Sequence, residues 1–310
     1  MIIIVSNRML EYYYIHFDVN TYVHNCTQNF KRVYVKLDKY LENPTEDNIH
    51  HMRTSLRRLE ATYQSSPKQI RKKKKIEEFA RVGKRLFKTN SMIRDIDIIL
   101  EKLAKEGKMS EQQLEYYENP LMQDREHQLE EARTIAQNLR ELIVPSSYDE
   151  NKTDKNFKGN TMKRLAKITM ELKNRIEEKI PIVIGDESRI TELHELRKDS
   201  KKLRYLIELV INKENDNTTK SNTNDITNKL VNNNDHKILE HLEKIQEMLG
   251  DIHDYDIAID YLRQHQVSNS PTITNAITNI MKIRKTKFDN FVNFNKSTTS
   301  KSLMVAGGSK

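Results

Sequence analysis

The segment HELRKDSKKLRYLIE at 194–208 is the part of the chain best equipped to hold an anion. At about 100° per residue, His194, Arg197, Lys201 and Arg204 fall within one helical arc of roughly 80°, while Leu193, Leu196, Leu203, Ile207 and Val210 gather on the other side. One face is basic and the other is core. Arg offers planar bidentate donors and Lys a flexible point charge, both suited to phosphate oxygens. Spacing them about one per turn lays a straight row of cations that a linear polyanion can follow.

The same arrangement occurs earlier. IHHMRTSLRRLE (49–60) aligns without gaps to LHELRKDSKKLR (193–204), so that His50 faces His194, Arg53 faces Arg197, Arg57 faces Lys201 and Arg58 faces Lys202. Farther on, MIRDIDIILEKL (92–103) aligns to DIHDYDIAIDYL (251–262), pairing Asp95 with Asp254 and Asp97 with Asp256. Two coincidences in the same order indicate an internal duplication and two similar helical halves facing one another. His50 and His194 each head a row. A neutral imidazole donates one hydrogen bond to a phosphate, and the anion raises its pKa toward the doubly donating form; the competing reading is that each His caps or packs its bundle.

The four aspartates invite a metal reading, since His253-Asp254 superficially resembles the metal-dependent HD phosphohydrolases. Such sites need further His and Asp ligands, and carboxylates also orient Arg and Lys side chains. Arg94 stands where the second half has His253, which a shared metal site would not tolerate. Asp95, Asp97, Asp254 and Asp256 are therefore assigned an orienting role. Tyr205, beside Arg204, reads as half-buried packing rather than a stacking platform. No metal and no cofactor is expected.

The elements that position these residues are helices. With only 7 Gly and 6 Pro in 310 residues, 36% hydrophobic and 32% charged, the chain lacks the turn residues a sheet needs, and the fold class is all-α. Helices are predicted over 21–41, ending before Pro44, and over 47–64, ended by Ser65-Ser66-Pro67; others run to about 88 and, after a break at Thr89-Asn90-Ser91, from 92 to about 107. A long helix over 110–144, with a candidate interruption at Asn119-Pro120, ends at Pro145. In the second half, helices are predicted over 161–180, stopped by Pro181, then over 187–212, from about 235, and over 272–293. Domain organisation follows: an extension over 1–20, a first half over 21–145, a linker over 146–160, a second half over 161–294 with a flexible Asn-rich insertion at 214–234, and a disordered tail over 295–310.

Net charge is +8, which by sign alone fits nucleic acid, a membrane surface or a small polyanion. The run Arg71–Lys75 reads as a solvated helix start, a nucleic-acid or nuclear-import role resting on a weak five-residue signal. One cysteine, Cys26, excludes an intramolecular disulfide and agrees with a reducing compartment. No export signal is evident, and no run approaches the roughly 18 apolar residues of a membrane span. The expected location is cytoplasmic.

The duplicated layout of a His followed by Arg at +3 and basic residues at +7 and +8 resembles the CHAD family, the conserved histidine α-helical domain, over roughly 21–293. LHELRKDSKKLRYLIEL followed by LGDIHDYDIAIDYL carries nearly every signature position. The first half departs at Glu60, where a further Arg is usual, and at Asn90-Ser91, where Leu-Gly usually precedes the Arg-Asp pair. The resemblance implies two pseudo-symmetric antiparallel four-helix bundles whose His/Arg helices line a shared basic surface. It further implies a binding module for inorganic polyphosphate rather than an enzyme, with association with polyphosphate granules as a corollary. The expected polyphosphate-binding set is His50, Arg53, Arg57 and Arg58 with His194, Arg197, Lys198, Lys201, Lys202 and Arg204. The rivals are a metal-dependent phosphohydrolase using the His/Asp pairs and a general nucleic-acid binder. Nucleic acid is disfavoured as a partner, because only Tyr63 and Tyr205 accompany the stripes as stacking aromatics.

Overall fold

The computed structural model describes residues 17–142, 155–211, 226–265 and 271–306, and among these the chain is helical with no strand. Helix α1 spans Val19–Glu42, opened by the Asp18 carboxylate, which accepts the Asn20 and Thr21 N–H groups at 3.0 Å. Its buried face, Tyr22, Val23, Cys26, Phe30, Val33, Leu37 and Tyr40, repeats every three or four residues. Asn43 is extended, as a residue before proline prefers to be, and ends the helix. Helix α2, Glu46–Ser65, starts where the Thr45 hydroxyl accepts the Asn48 N–H, with Glu46 and Asp47 placed at its positive end. A single turn, α3, Lys68–Arg71, follows Pro67.

Helix α4 runs unbroken over Lys74–Glu106, correcting the break expected at Thr89-Asn90-Ser91. The two hydroxyls turn inward on their own helix, Thr89 Oγ1 donating to the Arg85 carbonyl and Ser91 Oγ to the Phe87 carbonyl, and Asn90 is fully buried with its Oδ1 accepting from Tyr40 Oη at 2.9 Å. Residues that read as breakers from composition are thus accommodated inside the helix, with the Asn90 Nδ2 left as a buried donor without a partner.

Helix α5, Glu111–Glu141, passes through Pro120 without interruption. Helix α6, Lys155–Gly185, begins six residues before the expected start at 161 and continues through Pro181, which does not stop it. Helix α7 spans Ile190–Ile207, α8 Ile226–Gln264 and α9 Pro271–Ala306. Two boundary corrections follow: the end of the Asn-rich stretch is already helical from Ile226, and the expected disordered tail continues α9 to Ala306. Most of the 1–20 extension, residues 143–154 of the linker region, and 214–225 of the insertion lie outside the described residues.

In the first half α1 packs on α2 and α5, and α4 packs on α2 and α5, closing a ring of four helices. In the second half α6 packs on α7, α7 on α8 and α8 on α9. The halves meet through α2 against α7 and α4 against α8, which are the elements carrying the matched motifs. One apolar core runs across both halves, from Tyr22, Phe30, Leu56 and Phe79 to Leu172, Leu196, Leu203 and Phe291. A smaller one, with Ile96, Leu103 and Tyr117 against Tyr255, Leu262 and Ile280, seals the far end of the α4–α8 contact. No helix among the described residues is long and apolar enough to cross a membrane.

Candidate functional site

On α2 the residues Ile49, Met52, Leu56 and Leu59 are buried, which fixes the helix in rotation and commits the opposite face to the space between the halves. His50, Arg53, Arg57, Glu60 and Gln64 follow one another along that face. On α7 the buried Leu193, Leu196, Leu203 and Leu206 do the same for His194, Arg197, Lys198, Lys201 and Lys202. The unbroken α4 adds Gly83, Lys84, Phe87, Ser91, Arg94 and Asp95, and α8 adds His253 and Asp254. Together they enclose a cavity of about 630 Å³. At Gly83 a Cβ would stand 3.1 Å and 3.2 Å from the Cδ2 atoms of Leu59 and Leu56, so glycine is what lets α4 approach α2 this closely.

The lining holds eight Lys and Arg side chains against three carboxylates, Glu60, Asp95 and Asp254. Arg53 is 9% exposed and its guanidinium lies 6.0 Å from the centroid of the Phe87 ring, with that of Arg57 at 5.2 Å. The Nε of Arg53 and the Nε of Arg197, matched positions on α2 and α7, are both buried without a protein hydrogen-bond partner. Leaving a buried donor of a charged group unpaired is costly, so these two atoms mark a place shaped for an acceptor.

The electrostatics report the same excess. Burial, followed by the repulsion of Arg57, pushes Arg53 down to about 10. Arg197 is lowered mainly by burial, offset by Asp254. Lys201 falls to about 5 through burial and then Arg57 and Arg197. His194 is depressed to about 4 by burial and then by Lys198 and Arg197, and His253 to about 3 by burial and then by Arg197 and His194. His50 is lowered too, by desolvation and the adjacent Arg53. The carboxyls of Asp95 and Asp254 are raised by burial, against the pull of Arg53 and Arg197 on the first and of Arg197 and Arg94 on the second. The cavity therefore holds more positive charge than its own carboxylates neutralise, and its imidazoles are held toward the neutral form.

A family model described as the CHAD domain matches residues 30–263, three quarters of the chain. The chain belongs to the CHAD family. No curated protein matches it. The matched interval begins within α1 and ends at the last turn of α8, so it takes in all four CHAD helices that face the cavity.

Of the ten residues expected from the CHAD motif to contact phosphate, the structure brings eight to the cavity: His50, Arg53, Arg57, His194, Arg197, Lys198, Lys201 and Lys202. Arg58 and Arg204 are not among them. Arg58 Nε donates to Glu208 at 2.9 Å, Arg204 donates to Glu243 at 2.6 Å, and both guanidiniums lie over the Tyr205 ring, at 5.5 Å and 5.1 Å from its centroid. Tyr205 is buried and serves as the packing surface for this pair. Asp97 and Asp256 sit outside the cavity and make matched ion pairs 28 residues ahead: Asp97 with Arg125 Nε at 2.7 Å, tying α4 to α5, and Asp256 with Arg284 Nε at 2.5 Å, tying α8 to α9. Asp95 and Asp254 lie in the cavity between the arginines. Among the described residues no group of three or more His, Cys, Asp or Glu is arranged to hold a metal ion.

Sequence reasoning left out Lys84, Phe87, Arg94 and His253 as site residues. Lys84, Phe87 and Arg94 share a stripe at i, i+3 and i+10, a signal that the supposed break at 89–91 divided. His253 was visible as the position opposite Arg94 in the duplicated motif; in the fold its Nδ1 is 3.3 Å from His194 Nδ1.

Proposed function

We propose that the protein binds inorganic polyphosphate, as a non-enzymatic module, in the cation-lined cavity between two duplicated helical halves. The observation that carries this reading is the pair Arg53 and Arg197: one from each half, each with a buried Nε lacking a protein partner. A phosphate placed between them accepts from both guanidiniums and offsets the cationic repulsion that, after burial, lowers Lys201, His194 and His253. Membership of a family associated with polyphosphate binding supports the same ligand. The matched ion pairs Asp97–Arg125 and Asp256–Arg284 support descent of the halves from one duplicated unit.

A chain of phosphates suits the site better than a nucleic acid. The aromatic rings nearest the cations, Phe87 and Tyr205, already face Arg53 and Arg57 and Arg58 and Arg204 respectively. Bases would find no free stacking platform there. The reading carries with it a cytoplasmic location and association with polyphosphate granules. It is tested by competition: long-chain polyphosphate is expected to displace single- and double-stranded DNA at equal phosphate concentration, and displacement of polyphosphate by either DNA contradicts it. Turnover of a phosphate ester or anhydride abolished by chelator would favour a phosphohydrolase instead.

A further inference from the structure

The cavity wall on α2 ends at Gln64, and a second concentration of positive charge begins there. The Gln64 carbonyl accepts from Arg164 Nε at 2.5 Å, and the Ser66 carbonyl accepts from Arg71 Nε at 3.1 Å. Two guanidiniums, one from α6 and one from α3, are thereby held at the C-terminal end of the His50 helix. They are close enough for Arg71 to depress Arg164, after burial. Lys72, Lys74 and Lys75 are exposed beside Arg71, and Lys73 is half-buried.

Capping of the last carbonyls of α2 accounts for the two Nε contacts. It does not account for gathering six cations at one end of a helix, where Glu171 acts on Arg164 through space and without an ion pair. Among the described residues none of Arg71, Lys72, Lys73, Lys74, Lys75 and Arg164 forms an ion pair, in contrast to Arg58 and Arg204. The α2 wall from His50 to Gln64 is about 21 Å long at 1.5 Å per residue, so a short oligophosphate fits within it and a long chain must leave it.

We propose that Arg164 and the 71–75 run form a second anion-binding surface that grips polyphosphate where it emerges at the Gln64 end, making affinity depend on chain length. The proposal rests on polyphosphate as the ligand of the cavity. It turns the basic run from a solvated helix start into an extension of the track.

The test compares tripolyphosphate with long-chain polyphosphate by calorimetric titration of the full chain, wild type against Arg71→Gln/Arg164→Gln. The double variant is expected to bind tripolyphosphate as the wild type does and to lose about tenfold in long-chain affinity, the size expected of two partly exposed ion pairs. Because both arginines also hold backbone carbonyls, Lys72→Glu/Lys75→Glu, which alters only exposed side chains, is expected to show the same selective loss. Unchanged long-chain binding in both variants, or an equal loss for both ligands, overturns the proposal while leaving the cavity reading intact. Failure of the wild type to bind either ligand overturns both.

Discussion

The Nδ1 atoms of His194 and His253 lie 3.3 Å apart, with ring centroids at 4.4 Å, so a motif histidine of α7 is hydrogen-bonded to a histidine of α8 at the cavity wall. One ring must donate and the other accept, which requires a neutral imidazole, and burial together with the surrounding cations favours that state. An anion entering the cavity reverses the field. It favours protonation of these rings and of Lys201, whose charge is suppressed by burial and then by Arg57 and Arg197.

Binding is therefore expected to take up protons. Calorimetric titrations in buffers of different ionisation enthalpy should give a net proton uptake near pH 7, and polyphosphate affinity should rise as pH falls from 8 to 6. Proton release on binding would contradict the assignment of neutral imidazoles.

The same groups set a stability dependence for the free protein. His194 and His253 have folded pKa values near 4 and 3, below their unfolded values. The unfolded chain then binds more protons between those values and about 6.5, so this contribution to stability is present above about 6.5 and is lost as pH falls. Lys201, lowered to about 5, adds a slope of the same sign up to its unfolded value. Tm is expected to fall on acidification from pH 7 to pH 5, and a smaller fall should be seen in His194→Asn/His253→Leu.

Lys201 is held in the cavity at a cost to folding. Lys201→Met keeps its length and removes the charge, and is expected to raise Tm while weakening polyphosphate binding. A lowered Tm with unchanged binding would show Lys201 to be structural.

Tyr40 and Asn90 form a buried hydrogen bond at 2.9 Å that lets α4 continue past residue 90. Tyr40→Phe leaves Asn90 Oδ1 unpaired and is expected to cost about 1–3 kcal/mol in denaturant unfolding. Tyr40→Phe/Asn90→Leu, which removes both partners, is expected to recover most of that loss. An additive double variant would contradict the pairing.

Much of this was legible in the sequence because it depends on spacing. The three- and four-residue repeat of Val23, Phe30, Val33 and Leu37 marks α1, and the ungapped match of His50–Arg58 to His194–Lys202 marks both walls of the cavity. What spacing could not show were contacts between distant segments. Arg58 looks as available as Lys202 until Glu208 is found 150 residues away, and Arg204 until Glu243 is found across on α8. Thr89-Asn90-Ser91 looks like a break until Tyr40 supplies a partner for Asn90. Pro120 and Pro181 likewise end helices by local rule, and here the helices continue through them.

The central claim, that Arg53 and Arg197 jointly hold phosphate from opposite halves, is tested most directly by titrating long-chain polyphosphate into wild type and Arg53→Gln/Arg197→Gln at matched salt. The account predicts a loss of at least about a hundredfold in affinity, from two buried charge-assisted contacts, with helical content retained. Wild-type affinity in a folded double variant would contradict it.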